Sequence, residues 1–168
     1  MPEPAQTKNV YEATPQARPQ AIIVYCSDPR FQTAFEQFIA KDLGLAKGQF
    51  IPLVVAGGAG VLAHPESLPK EFKFMRDRFE LFRKHYASIK RIVLINHEDC
   101  AYYKSLTGRI SGLLGRHAED PTERSREDME LIARIFERLL SHLGLEVELY
   151  YAHFVDGDQS KVTFDRMH

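Results

Sequence analysis

The sequence predicts an α/β fold: a central, mostly parallel β-sheet of four to five strands flanked by helices. Three observations predict it. Short, continuous runs of β-branched and aliphatic residues recur along the chain, among them Ala21-Ile22-Ile23-Val24-Tyr25 and Ile92-Val93-Leu94-Ile95. Runs that are apolar at every position suit strands buried on both faces. Between them lie longer stretches with apolar residues at helical spacing, such as Phe72, Met75, Phe79 and Phe82, which is the stripe of a helix packed on one side. Glycine and proline mark the joints, and strands alternating with helices in this way build a parallel sheet.

In chain order, residues 1–20 carry Pro2, Pro4, Pro15 and Pro19 without periodicity and read as an extended N-terminal arm. Residues 21–168 form a single α/β domain, of a size that buries roughly 70% of its unfolded surface. Ala21 to Tyr25 is the first strand. Phe31 to Leu43 is a helix with Phe35, Phe38 and Ile39 on one face, stopped by Gly44. Phe50 to Val55 is the second strand. Its Pro52 has no N–H for a ladder, which suits an edge strand or an early position in a strand. Ala56-Gly57-Gly58-Ala59-Gly60 breaks it, and Pro69 to Ser88 is the helix with the Phe72 stripe.

Arg91 to Asn96 is a third buried strand, and Tyr102 to Arg116 a helix interrupted by Gly108 and Gly112. Asp120-Pro121-Thr122-Glu123 starts the next helix: Asp caps, Pro takes the first helical position and Glu123 reaches back. Met129, Ile132, Phe136, Leu139 and Leu143 form its buried stripe, and Gly144 ends it. Glu146 to Phe154 is a fourth strand. The turn Asp156-Gly157-Asp158 and a short strand from Lys161 to Phe164 close the chain.

Composition narrows the function. With 44% hydrophobic and 27% charged residues, the chain is an ordinary globular protein rather than a disordered one. A net charge of −1 provides no electrostatic footprint for nucleic acid or for an anionic membrane. No apolar run approaches the roughly 18 residues of a membrane span. The first twenty residues have no apolar signal-peptide core, so the expected location is the cytoplasm. Cys26 and Cys100 are the two cysteines. In a reducing compartment such a pair points to metal or redox chemistry before a structural disulfide.

The unusual residues fall at strand ends. Cys26 follows the first strand, Gly57 the second, and His97 the third, with Cys100 three residues on. Parallel strands with right-handed crossovers leave their carboxyl ends at one edge of the sheet, where open α/β sheets bind ligands. Residues some seventy positions apart are thus expected to meet. Two thiolates and an imidazole suit Zn2+, and three protein ligands leave one tetrahedral position for water. Cys26, His97 and Cys100 are the candidate metal ligands. Cys26-Ser27-Asp28-Pro29-Arg30 adds a candidate catalytic pair: Pro29 keeps Asp28 out of helical geometry, and Arg30 offers a planar fork to the carboxylate. Extended backbone is expected from Cys26 to Arg30. His64, His85, His117, His142 and His153 could carry protons on chemistry alone, and His64 follows the glycine-rich turn. That turn lacks the Gly-x-x-x-x-Gly-Lys-Ser/Thr pattern of a phosphate loop.

Cys26-x-Asp28-x-Arg30 followed by His97-x-x-Cys100 resembles the β-class carbonic anhydrases, and the resemblance spans about residues 20–164. It implies a zinc enzyme that converts carbon dioxide and water reversibly to bicarbonate, built as a homodimer or higher homo-oligomer. Cys26, His97 and Cys100 match the family's zinc ligands, and Asp28 and Arg30 its catalytic pair. The family also shows a closed state in which the aspartate takes the fourth zinc position. The chain departs from the pattern at Ala101, where glycine is usual. It departs again at Ala56 to Gly60, where arginine-asparagine-alanine-glycine-asparagine is more usual. The same site also admits a zinc-binding relative without anhydrase activity, or a hydrolase of another small linear molecule such as carbonyl sulfide or carbon disulfide. A Cys26–Cys100 redox pair is a third reading.

Overall fold

The computed structural model describes residues 9–102, 104–105 and 121–167. The elements are β1 (Ala21–Cys26), α1 (Gln32–Lys41), β2 (Phe50–Val55), a 3-10 turn (Gly58–Leu62), α2 (Pro69–His85) and β3 (Arg91–His97). There follow α3 (Pro121–Ile135), a π turn (Phe136–Leu140), a second 3-10 turn (Ser141–Leu143), β4 (Glu146–Val155) and β5 (Asp158–Met167). The five strands form one sheet in the order β2-β1-β3-β4-β5. β2, β1, β3 and β4 are mutually parallel, and β5 runs antiparallel to β4. The expected mostly parallel sheet is thus present, with Pro52 on an edge strand.

Strand alternation divides the core. Ile22, Val24, Ile92 and Leu94 face α2 and α3, against Phe72, Met75, Phe79, Met129 and Ile132. Ile23, Tyr25, Val93 and Ile95 face the other way, against Phe31, Phe35, Phe38 and Ile39 of the α1 side. Each central strand is therefore apolar at every position because both of its faces are covered. Ala21 pairs with both Phe50 and Arg91, so β1, β2 and β3 run in step and end together.

Several boundaries and one stripe differ from expectation. The Asp28 to Phe31 segment is not extended: the Phe31 N–H donates to the Asp28 carbonyl at 3.2 Å, closing a β-turn. Asp at the first position and Pro at the second both favour that turn. Leu139 is 45% exposed whereas Leu140 is buried. The π turn inserts a residue into the helical register and rotates Leu140 onto the core face. The last strand spans ten residues rather than four. Asp156 (φ 50°) and Gly157 (φ 77°) both adopt the left-handed region, which makes a two-residue hairpin that pairs β5 along β4. Tyr102 is helical, whereas residues 106–116 of the expected helix, His117, the Asp120 cap and residues 1–8 of the arm lie outside the described residues. Pro121 does open α3.

Candidate metal centre

Cys26 is the last residue of β1 and His97 the last of β3, and the shared register of these strands brings both to one edge. The turn after His97 then returns Cys100 to them. Asp99 makes that turn with φ 54°, a left-handed conformation that Asp tolerates better than most residues. One donor atom from each of Cys26, His97 and Cys100 lies within 4.8 Å of the others. All three residues are buried. The two sulfur atoms are 3.7 Å apart, far beyond a disulfide bond. Thiolates about 2.3 Å from a tetrahedral zinc lie about 3.8 Å from each other, so their spacing fits a shared metal ion.

His97 is prepared in the same sense. Its Nδ1 is 2.7 Å from the Glu98 carbonyl, a contact in which Nδ1 must donate, so that in the neutral ring Nε2 is the nitrogen with the lone pair. Among the described residues Nε2 is buried without a hydrogen-bond partner. A buried nitrogen acceptor left unpaired costs free energy, and a cation beside the two sulfurs removes that cost. The ring packs on Phe31, with centroids 4.2 Å apart, and the Asn96 carbonyl oxygen Oδ1 accepts the His97 N–H at 2.9 Å. The two sulfurs are close enough to hydrogen-bond, and this contact, with His97 beside it, lowers the Cys26 thiol against the opposing effect of burial. The same contact and burial raise Cys100.

Asp28 and Arg30 lie beside these three residues. Arg30 Nε donates to Asp28 Oδ1 at 3.1 Å and Nη2 to Oδ2 at 2.8 Å, the forked pairing expected from the sequence. The Arg30 backbone N–H adds a bond to Oδ1 at 3.0 Å. These contacts hold the Asp28 carboxyl below its ordinary range. Asp28, Arg30, Ala56, Cys100, Ala101 and Tyr102 are among the residues that line a cavity of about 530 Å³ opening at the thiols.

Other contributors have no motif to announce them. Gln32 Nε2 donates to the carbonyls of Cys26 (2.9 Å) and Asp28 (2.7 Å) and so staples the turn between them. Gly58 sits at φ 55°, where a Cβ would stand 2.9 Å from the Ile95 carbonyl oxygen and 3.2 Å from the Cys26 nitrogen. The glycine-rich turn therefore serves close packing between β1 and β3, and Gly58 to Leu62 are buried. Glu98, though between His97 and Cys100, turns away: its carboxylate accepts the Phe154 N–H of β4. His64 pairs with Asp128 at 3.0 Å, His153 with Asp165 at 3.2 Å and His142 with Glu80 at 3.5 Å. None of these three lines the cavity at the thiols.

No protein-family model and no curated protein matches the chain. Solved structures do. It is similar to a carbonic anhydrase from Glaciozyma antarctica, with a TM-score of 0.50 and 17% identity over 90% of this chain and 84% of that one. It is similar also to β-carbonic anhydrase isoform I from Trichomonas vaginalis, with a TM-score of 0.50 and 17% identity over 93% of this chain and 87% of that one. Identities this low speak for architecture alone, and at that level the chain has the fold of the β-carbonic anhydrases.

Proposed function

We propose that this protein is a zinc-dependent carbonic anhydrase, a lyase that interconverts carbon dioxide and bicarbonate in the cytoplasm. One observation carries the reading: three buried soft donors converge beside a carboxylate that an arginine already holds ionised. Cys26, His97 and Cys100 are the residues to hold the metal, and two thiolates with one imidazole favour zinc. Zinc bound there supplies a water that ionises near neutrality, its pKa lowered from 15.7 towards about 7. Asp28 accepts a hydrogen bond from the attacking water and turns its lone pair towards the carbon. Arg30 fixes Asp28 in that role. Ala56, Ala101 and Tyr102 on the cavity wall offer apolar surface to a small linear substrate.

Metal analysis of the purified chain and a stopped-flow indicator assay with carbon dioxide test this together. One zinc per chain and a hydration rate well above buffer are expected. Zinc-loaded protein that does not exceed the buffer rate removes the anhydrase assignment and leaves the metal centre. Turnover of carbonyl sulfide or carbon disulfide in that case identifies a hydrolase at the same site.

The reading includes a homodimer or higher homo-oligomer. β2 is a sheet edge, and Val54, Phe74 and Tyr102 are exposed large apolar side chains there and beside it. Val55, Ala56, Val61, Phe74 and Tyr102 line one groove along this edge. A second copy covering it removes both the open strand edge and the apolar surface from water.

A further inference from the structure

We propose that Asp99 is a positioning residue for this centre: it braces the outer edge of the Arg30 guanidinium, so that Arg30 holds the Asp28 carboxylate in one orientation. The inference rests on the metal centre proposed above and adds a residue that the motif does not contain.

A guanidinium has five N–H groups in a rigid plane. Asp28 engages Nε and one hydrogen of Nη2. The outer edge is engaged by Asp99 twice, through its carboxylate and its backbone: Nη1 donates to Asp99 Oδ2 at 2.8 Å, and Nη2 donates to the Asp99 carbonyl at 2.8 Å. The arginine is therefore clamped between two turns, the one after Cys26 and the one between His97 and Cys100. Its side chain is 39% exposed. Without the outer clamp it would regain rotamers, and Asp28 would be held from one side only. Lys104 occupies the other Asp99 oxygen, which aims Oδ2 at Arg30. The two residues between the ligands thus have separate partners: Glu98 ties the turn to β4, and Asp99 ties it to Arg30.

Asp99 could instead matter only because it tolerates the left-handed backbone of its turn. A mutant cycle read in the visible spectrum of the cobalt(II)-substituted protein separates these roles. The spectrum reports the cobalt ligand field and does not require turnover. Asp99→Gly keeps the left-handed backbone and removes the carboxylate. The expected result is a changed spectrum in the parent background and no further change in an Asp28→Asn background, because Asp99 acts only through Arg30 on Asp28. Asp99→Asn retains an acceptor for Nη1 and should restore the parent spectrum. It also serves if the glycine variant does not fold.

An equal change in both backgrounds, or a parental spectrum for Asp99→Gly, overturns the proposal, and so does a parent chain that binds no cobalt. In the zinc enzyme, Asp99→Gly should lower carbon dioxide hydration between about tenfold and a hundredfold, the scale on which a displaced positioning group acts. A parent without hydration activity defeats the anhydrase reading, while the cobalt spectra still decide the brace.

Discussion

Asp28 can serve a reaction near neutrality only as a carboxylate, and its surroundings keep it one. Its folded pKa is depressed by the Arg30 hydrogen bonds. The stabilisation this represents is therefore present above the ordinary Asp value and is lost as pH falls through the lower folded value. Asp28 should add no ionisation limb to a rate profile between about pH 5 and pH 9. Asp28→Asn preserves the shape of the side chain and removes the charge. It should retain one zinc per chain by metal analysis and lose most turnover in the stopped-flow assay. Unchanged turnover would take Asp28 out of the mechanism. Asp28 and Arg30 could be paired from the sequence because they lie two residues apart with opposite charges, although the backbone expected to be extended there closes a β-turn. Asp99 and Gln32 could not, since an Asp between two ligands or a Gln in the first turn of a helix is unremarkable until the partner turn is in place.

The elements are built so that three strand ends and one glycine meet without clash. Gly58 approaches the backbone of both Ile95 and Cys26, and a carbonyl oxygen of a central strand cannot move aside as a flexible side chain can. Gly58→Ala adds that overlap to the roughly 1–3 kcal/mol strain of a non-glycine residue in a sparsely populated backbone region. A loss of about 2 kcal/mol or more in unfolding free energy, seen as a lower urea midpoint, is expected for the metal-free chain. A midpoint equal to that of the parent would show that the turn relaxes. The helix end makes a separate prediction. Leu140→Ala should cost about 2–5 kcal/mol as a buried leucine, whereas Leu139→Ala should stay within about 0.5 kcal/mol. Urea titrations of the two variants test the π turn directly, because uninterrupted α-helical spacing predicts the reverse order. The stripe Met129, Ile132, Phe136 was readable from sequence up to that turn. A π turn leaves no mark in a pattern of apolar spacings, so Leu139 was read in the place that Leu140 takes, while Leu143 is buried as expected.

For the whole molecule, the edge of β2, unpaired among the described residues, is the feature that the proposed oligomer would cover. Val54 is 43% and Phe74 47% exposed, so an acidic residue at either costs a lone chain little. Val54→Asp or Phe74→Asp should convert the proposed oligomer to monomer in light scattering after size exclusion, with the far-ultraviolet circular dichroism preserved. An assembly that survives both substitutions lies on another face. Among the described residues no helix is long and apolar enough to cross a membrane.

Sequence alone determined the parallel sheet and the strand ends at which Cys26 and His97 stand, and it narrowed β2 to an edge or to a proline early in the strand. Each of these follows from short-range rules: apolar periodicity, the missing N–H of proline and the handedness of crossovers. Tertiary structure decided the rest. The 3.7 Å spacing of the sulfurs, the unpaired Nε2 of His97, the close approach of Gly58 and the clamp of Asp99 on Arg30 all depend on strand register and turn direction. Those are set by packing between segments about seventy residues apart, and no local pattern records such distances.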